Sequence, residues 1–201
     1  MLVFTRENLV FLAVPKTGST AYEIALRDRA DMVISNPPEL KHAPVYRYNR
    51  FFRPMLTSVC GTDPELLAVI REPISWLGSW YRYRRRSFLN GKPTSTQGMS
   101  FDAFVTDYLK GQRPPHADVG SQTRFLRAQP NGCRVSHLFR YEEPHALNTF
   151  LAGRLGVQVV TESMNVSPDH SLTLDPAVEA KLRRKFAADF ALHETLDVSQ
   201  L

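Results

Sequence analysis

A short apolar run followed directly by a polar loop and a helix restricts the fold of this chain more than any other feature. Leu9–Val14 consists of six apolar residues, as is typical of a strand buried on both faces of a parallel sheet. Helical spacing then runs from Gly18 to about Arg29, with three residues predicted to face inward: Ala21, Ile24 and Ala25. We therefore predict a strand–loop–helix unit whose strand lies inside a sheet.

Strand-like and helix-like segments alternate along the rest of the chain. Met1–Phe4 is predicted to pair with the first run through a turn, and further strands are predicted at Met32–Ile34, Leu66–Ile70 and Val135–Phe139. Helices are predicted between and after them: Ala43–Met55, Pro73 to about Phe88, Ser100–Leu109 and Pro144–Leu155. This alternation predicts an α/β fold of three layers, with a mostly parallel central sheet flanked by helices. No linker divides the chain, so a single domain over residues 1–201 is expected.

Two predicted helices have clear start signals and apolar faces. Ser100 is a typical N-cap, and the inner side of its helix is predicted to consist of Phe101, Phe104, Val105 and Tyr108. Asp175 with Pro176 is an equally strong start. The buried stripe of this last helix is predicted to consist of Val178, Leu182, Phe186 and Phe190.

The charge of the chain favours an anionic ligand. It has 25 basic and 20 acidic residues, and 19 of the basic residues are arginine. Arginine-rich codon usage can produce this excess, but the planar guanidinium also suits phosphate. Charge alone does not distinguish a small phosphorylated ligand from nucleic acid or a membrane surface.

Cysteine spacing and hydropathy give expectations about the cell compartment. Cys60 and Cys133 match no metal or redox spacing, so neither a zinc site nor a disulfide framework is expected. No signal peptide is recognised, and no apolar stretch approaches the length of a membrane span. We expect a cytoplasmic protein.

The loop between the first strand and its helix carries the predicted chemistry. Gly18 permits a tight turn, and the amides of Gly18, Ser19 and Thr20 are expected to face an anion at the helix start. Lys16 adds a positive charge, and Thr17, Ser19 and Thr20 add hydroxyl donors. A Walker A loop ending at Lys16 and Thr17 requires glycines at positions 10 and 15, which hold Val10 and Pro15. The Walker pattern therefore fails.

Pro15-Lys16-Thr17-Gly18-Ser19-Thr20 resembles the 5′-phosphosulfate loop of the sulfotransferases. In that family an arginine that ends a central strand and a serine eight residues later bind the 3′-phosphate of the donor. Arg71, after Leu66–Ile70, and Ser79 match this spacing. The resemblance implies a sulfotransferase fold related to that of P-loop nucleotide triphosphatases. Without the family resemblance, Arg71 would be interpreted as a surface ion-pair residue, and Ser79 as a small helix residue near Trp76 and Trp80.

The resemblance covers most of the chain and is greatest to the soluble bacterial branch related to heparan-type, or family 2, enzymes. Phe139-Arg140-Tyr141-Glu142 is similar to the late strand of the family, and Asn165-Val166-Ser167 with Phe186–Leu196 is similar to its closing segment. Asn90–Gly120 shows no acceptor signature. The acceptor therefore stays open among sugar, lipid, peptide and small metabolite, with a carbohydrate or small molecule favoured.

The resemblance implies 3′-phosphoadenosine 5′-phosphosulfate (PAPS) as the donor, adenosine 3′,5′-bisphosphate (PAP) as the product, and no metal. Lys16 is the implied catalytic cation. His42 lies where relatives place a base, although a structural hydrogen bond explains a histidine there equally well. His116 and His170 are alternative bases, and His193 is a weaker one.

Two other functions stay open from the sequence. A small-molecule kinase with a variant phosphate loop would depend on ATP and magnesium. A non-enzymatic protein that binds RNA or a membrane surface would use Arg82, Arg84, Arg85 and Arg86 with Tyr81 and Tyr83. We favour a solvated helix face for this cluster, and expect neither nucleic acid nor membrane as a partner. The sequence does not determine the oligomeric state.

Overall fold

The computed structural model describes residues 1–160 and 172–196. Within them the chain forms two compact units, each assembled from separate stretches of sequence. The first unit contains residues 1–71, 122–160 and 195–196, and the second contains residues 72–121 and 172–194. Asn165-Val166-Ser167 and His170 lie outside the described residues. The expected single domain stays a prediction.

A five-stranded sheet forms the centre of the first unit. Its strands are β1 (Leu2–Phe4), β2 (Leu9–Phe11), β3 (Met32–Val33), β4 (Glu65–Ile70) and β5 (Val135–Arg140). Their spatial order is β3-β1-β2-β4-β5. β1 is antiparallel to both β2 and β3, whereas β2–β4 and β4–β5 are parallel. Four of the five strands therefore run in one direction, as the predicted mostly parallel sheet requires.

Alternating side chains of the strands place two cores on opposite faces of the sheet. Leu2 and Phe4 belong to one core, with Tyr22, Leu26, Leu147, Leu151 and Leu155. Met1 and Val3 belong to the other, with Val45, Tyr48 and Leu56. Since each face is covered by different helices, the first unit has the three predicted layers.

Within the described residues, the first unit contains six helices. They are α1 (Ser19–Leu26), α2 (Pro38–Lys41), α3 (Val45–Arg47), α4 (Arg53–Cys60), α7 (Gln122–Phe125) and α8 (Pro144–Leu155). A π-helical turn, Tyr48–Phe52, joins α3 to α4. It lies just before Pro54, which has no amide hydrogen for the regular helical bond. The helix predicted over Ala43–Met55 is thus present, but it is interrupted and ends later.

The buried face of α1 differs from the prediction. Ile24 is 49% exposed and Ala25 is also exposed, whereas Ser19, Tyr22, Glu23 and Leu26 are buried. The Tyr22 hydroxyl donates to Asn148 Oδ1 (3.0 Å), and Glu23 accepts from the Ser35 hydroxyl (2.6 Å). These partners satisfy polar groups that would otherwise be costly to bury, so Tyr22 and Glu23 can lie on the buried side of the helix with Leu26.

The second unit consists of helices around its own core. They are α5 (Pro73–Arg84), α6 (Phe101–Tyr108), α9 (Pro176–Lys185) and α10 (Ala187–Glu194), with a 3₁₀ turn at Ser87–Leu89. Ser100 Oγ accepts from the Ala103 amide (3.1 Å), and Asp175 Oδ1 accepts from Ala177 (2.8 Å) and Val178 (3.2 Å). Both predicted caps are confirmed. The four predicted inner residues of α6 are all buried: Phe101, Phe104, Val105 and Tyr108.

The last predicted helix is divided in two at Phe186, which has φ −114° and ψ 32°. Leu182 and Phe190 are nevertheless buried, at 1% and 5% exposure, and Val178 and Phe186 pack partly buried against the same core. The predicted stripe is therefore correct, although the helix that carries it is interrupted.

Candidate functional site

The loop after β2 has an unusual backbone at its lysine. Lys16 has φ +67°, and among the described residues only Asn8 is another non-glycine residue with positive φ. This conformation costs an ordinary L-residue about 1–2 kcal/mol. Gly18 has φ +75° and forms the N-cap of α1. Two left-handed residues within three positions therefore bend the chain from the strand end into the start of α1.

The hydroxyl side chains of the loop have different surroundings. Thr17 is buried, and its hydroxyl donates to the carbonyl of Val14 (2.9 Å). In this structure the hydroxyl proton of Thr17 stabilises the loop, and the role of Thr17 in binding the donor stays a prediction. Ser19 is 9% exposed, whereas Gly18 and Thr20 are exposed.

The sheet register brings Arg71 beside Tyr141. Ile70 of β4 is paired with Arg140 of β5, and the Tyr141 amide continues the pairing by donating to the Ile70 carbonyl (2.7 Å). Arg71, which follows β4, and Tyr141, which follows β5, are therefore neighbours. The Arg71 guanidinium carbon lies 4.2 Å from the centroid of the Tyr141 ring, which is a close cation–π contact.

Arg71 and Tyr141 both reach the loop after β2. Arg71 Nη1 lies 3.5 Å from the carbonyl oxygen of Lys16. A Cβ atom added to Gly18 would lie 3.1 Å from Tyr141 Cε2, so any larger residue would have to displace the ring slightly. The structure thus brings together the predicted residues Lys16, Gly18 and Arg71, at the carboxyl ends of adjacent parallel strands. Ligands in open α/β sheets commonly bind at this edge.

Gln122, the first residue of α7, holds the backbone of Arg71. Its Oε1 accepts from the Arg71 amide (2.8 Å), and its Nε2 donates to the Arg71 carbonyl (2.7 Å). Gln122 is 2% exposed, so these bonds lie in a buried setting. No sequence pattern points to Gln122, and Tyr141 belongs only to the segment that is similar to the late strand of the family. Neither contact has a local sequence signal, because both depend on how distant strands and helices meet.

His42 lies at the end of α2 with a defined hydrogen bond. Its Nδ1 is 2.7 Å from the carbonyl oxygen of Ala13, just before the loop. A carbonyl oxygen can only accept, so Nδ1 carries the proton and Nε2 of the neutral ring is the basic nitrogen. Burial lowers the pKa of His42, and the positive charges of Lys41 and Lys16 act in the same direction. The bond to Ala13 opposes this shift without reversing it.

A buried ion pair supports the residue before His42. Lys41 Nζ lies 2.9 Å from Glu23 Oε2, and both side chains are largely buried. Burial alone would raise the pKa of Glu23, but hydrogen bonds from Ser35 and Lys41 outweigh it, and the pKa is lowered. The charged pair fixes α2 to α1, and hence His42 to the helix that follows the loop.

Ser79 and the arginine cluster lie on or just after α5, in the second unit. The part of Ser79 in a 3′-phosphate site stays a prediction from the resemblance. The interpretation of the cluster as a solvated face is only partly right: Arg85 and Arg86 are exposed, but Arg84 is 9% exposed. Arg84 donates to the carbonyls of Pro115 (2.5 Å) and Asp118 (3.3 Å) and so supports a loop.

The same cluster stacks on aromatic rings of its own helix. The guanidinium carbons of Arg84, Arg85 and Arg86 lie 5.3, 5.4 and 5.3 Å from the ring centroids of Trp80, Tyr81 and Tyr83. Tyr81 is also buried. Rings occupied in this way are poorly placed to stack on nucleic-acid bases, which weakens the interpretation as an RNA-binding surface.

Among the other histidines considered as bases, His116 has a specific partner. Its Nε2 lies 2.6 Å from Asp107 Oδ2, within the second unit. Lys110 pairs with the same carboxylate (2.5 Å). His193 lies on α10. Of these three, only His42 belongs to the unit that contains Lys16 and Arg71.

The described part of the chain has neither a cluster of metal-binding side chains nor a membrane-spanning helix. No group of three or more His, Cys, Asp or Glu residues there could hold a metal ion. No helix in residues 1–160 or 172–196 has the length and hydrophobicity needed to cross a membrane. The expectations of metal-free chemistry and a cytoplasmic location stay predictions.

Comparison with solved structures supports the fold. No protein-family model matches the sequence, and no curated protein matches it. Among solved structures, the chain is similar to the crystal structure of a sulfotransferase from Alicyclobacillus acidocaldarius, with a TM-score of 0.52 and 15% sequence identity. The match covers 96% of this chain and 97% of the other. The chain therefore has an α/β fold with a five-stranded sheet flanked by helices, similar to that of a bacterial sulfotransferase.

Proposed function

We propose that this chain is a sulfotransferase that moves the sulfuryl group of PAPS to an acceptor hydroxyl. One observation carries the proposal: Lys16 and Arg71 follow adjacent parallel strands, and Arg71 Nη1 lies 3.5 Å from the Lys16 carbonyl. The Arg71 guanidinium therefore reaches the backbone of the loop that carries Lys16, at one sheet edge. A donor with phosphates at both its 5′ and 3′ positions needs a pair of cations such as Lys16 and Arg71. The structural similarity to a bacterial sulfotransferase supports the same proposal.

The loop after β2 fits the 5′ end of the donor. The first amides of α1 have no partners within the helix, and they attract negative charge. Gly18 keeps the backbone open where a side chain would meet Tyr141. Lys16 lies in this loop before the helix start and would stabilise charge that develops on the leaving phosphate. Thr17 contributes by fixing the loop, and Ser19 and Thr20 flank the helix start.

Arg71 fits the 3′-phosphate because its position is fixed and its charge is permanent. Its guanidinium stacks on Tyr141, and its backbone is held by Gln122. A guanidinium oriented in this way can donate two hydrogen bonds to one phosphate. The nucleotide specificity of the site therefore rests on Arg71, with Ser79 as the second donor that the resemblance implies.

The chemistry requires a base for the acceptor hydroxyl, and His42 fits this role. The acceptor oxygen forms a new bond to sulfur while the bond from sulfur to the 5′-phosphate oxygen breaks. The electron pair of that bond leaves with PAP, and the acceptor proton passes to His42 Nε2. A lowered pKa keeps His42 neutral and able to accept the proton at pH 7. The transferred group carries one negative charge, so we propose a reaction without metal, with a carbohydrate or small molecule as acceptor.

Calorimetric titration of PAP and of AMP, without magnesium, tests the donor. A hydrogen bond to a charged group contributes about 1.5–3 kcal/mol. The parent should therefore bind PAP at least about 10- to 100-fold more tightly than AMP. Arg71→Ala should lose most of this preference. Arg134→Ala removes an equal charge from an exposed position just before β5 and should keep it.

A second measurement tests the transfer itself. PAP release from PAPS, with a simple phenol as acceptor, should depend on both Lys16 and His42. Equal affinity of the parent for PAP and AMP would contradict the proposal. Binding of ATP that depends on magnesium would then favour the kinase alternative.

A further inference from the structure

We propose that Gln122 is a positioning residue that orients Arg71 and thereby sets the preference for a 3′-phosphorylated nucleotide. This inference rests on the proposed function, because it concerns the residue assigned to the 3′-phosphate. Gln122 does not need to touch the ligand for this role. It acts through the backbone of a residue 51 positions earlier in the chain.

The hydrogen bonds of Gln122 are unusual in their target. Both ends of one carboxamide bind the amide and the carbonyl of a single residue, at 2.8 and 2.7 Å. Two bonds from a planar group to one residue restrict both the position and the rotation of its backbone. Gln122 is buried and Arg71 is partly buried, so the loss of these bonds should be costly.

Arg71 needs this restraint because it lies just beyond the regular sheet. β4 ends at Ile70, whose carbonyl accepts from the amide of Tyr141, the residue just after β5. Gln122 thus replaces, at the next residue, the backbone pairing that a longer strand would give. The Cα–Cβ bond from which the Arg71 side chain extends is thereby held in place. Its guanidinium reaches both the Tyr141 ring and the Lys16 carbonyl.

A purely structural glutamine would stabilise the fold without affecting which nucleotide is preferred. A positioning glutamine has a different signature: its loss should lower the ratio of PAP to AMP affinity. Groups that orient ligand-binding side chains at metal sites typically change affinity about 10- to 100-fold when mutated. We expect a reduction of about tenfold in the ratio for Gln122→Met, which keeps the length of the side chain but removes both hydrogen bonds.

The experiment titrates PAP and AMP against the parent, Gln122→Met, Arg71→Ala and the double variant, with melting temperatures for each. Gln129→Met is the matched control, because Gln129 Nε2 also donates to a backbone carbonyl, that of Arg127 (2.7 Å), in the same unit. The control should keep the full ratio. In the Arg71→Ala background, Gln122→Met should change the ratio no further, since its effect passes through the Arg71 side chain.

The outcomes separate this inference from the proposed function. A parent without a preference for PAP overturns the proposed function and this inference with it. A parent with the preference, whose Gln122→Met variant keeps the full ratio, overturns the inference alone. If Gln122→Met does not fold, Gln122→Asn is measured in its place. Its amide is one methylene shorter and cannot keep both bonds, so an unchanged ratio there has the same meaning.

Discussion

Gly18→Ala tests whether the contact between the loop and Tyr141 matters for nucleotide binding. Gly18 has φ +75°, where alanine costs about 1–2 kcal/mol. The new Cβ would also lie 3.1 Å from Tyr141 Cε2 and 3.4 Å from Cδ2. Carbon atoms pack best at about 3.5–4.0 Å, so the ring must move by a few tenths of an ångström.

The backbone cost predicts the loss of stability, and the ring movement predicts the loss of binding. For a chain of this size, 1 kcal/mol corresponds to about 2–4 °C, so the melting temperature should fall by about 2–8 °C. The cation–π contact of Arg71 with Tyr141 is of a kind that contributes about 0.5–2 kcal/mol. Its disruption should weaken PAP binding about twofold to thirtyfold.

Gly61→Ala is the matched control for this prediction. Gly61 has φ +66° and ends α4, but a Cβ there would have no atom within 4 Å. It should lower the melting temperature by a similar amount and leave PAP affinity unchanged. Thermal melting followed by circular dichroism and calorimetric titration with PAP measure the two effects. If both variants bind PAP as tightly as the parent, the loop–Tyr141 contact has no role in binding.

Three further predictions concern single side chains. Lys16→Ala should abolish sulfuryl transfer with little change in melting temperature, because alanine bears the same backbone strain at φ +67°; retained turnover would exclude Lys16 as the catalytic cation. His42→Ala should lower turnover about 10²–10⁴-fold, whereas His116→Ala should not. The pKa of His42 is lowered from 6.5, so parent activity should fall only when pH drops below that value and protonates Nε2, and a profile that falls already above pH 6.5 would argue against His42. Ser100→Ala removes the cap bond to Ala103 and should cost about 1 kcal/mol without affecting PAP affinity, as melting and titration together would show.

Local signals predicted the elements that depend on local chemistry. The starts of α6, α8 and α9 follow from Ser100, Pro144 and Asp175, whose side chains or ring act within one helical turn. The apolar run of β4 is buried from Leu66 to Ile70, as a central strand between two parallel neighbours must be. These predictions are confirmed because nothing distant is needed to make them.

Predictions that depended on a distant partner were less successful. The inner face of α1 was assigned from apolar spacing, but Tyr22 and Glu23 are buried through partners 126 and 12 residues away. Arg84 was grouped with solvated neighbours, yet its guanidinium binds carbonyls more than 30 residues later. A polar side chain can be buried wherever its hydrogen bonds are satisfied, and hydropathy does not show where that is.

The residues of the candidate site also differ in whether a sequence pattern indicates them. Lys16 and Gly18 could be selected because a strand end followed by a helix is visible in the sequence, and Arg71 because of the resemblance to the sulfotransferases. Gln122 and the stacking of Tyr141 could not, because they depend on the register of β4 with β5 and on where α7 meets Arg71. The hydrogen bond of His42 to Ala13 likewise fixes a tautomer that no sequence pattern specifies.

Because the backbone of Lys16 is left-handed, thermal stability and activity favour different residues at this position. Glycine would avoid the steric cost of about 1–2 kcal/mol that lysine bears there, although it loses part of that gain through its greater freedom in the unfolded chain. In a mutant library selected for heat resistance alone, Lys16→Gly should therefore be enriched. In the same library selected for turnover, it should disappear. Deep mutational profiles of the two selections would diverge most at this residue of the loop.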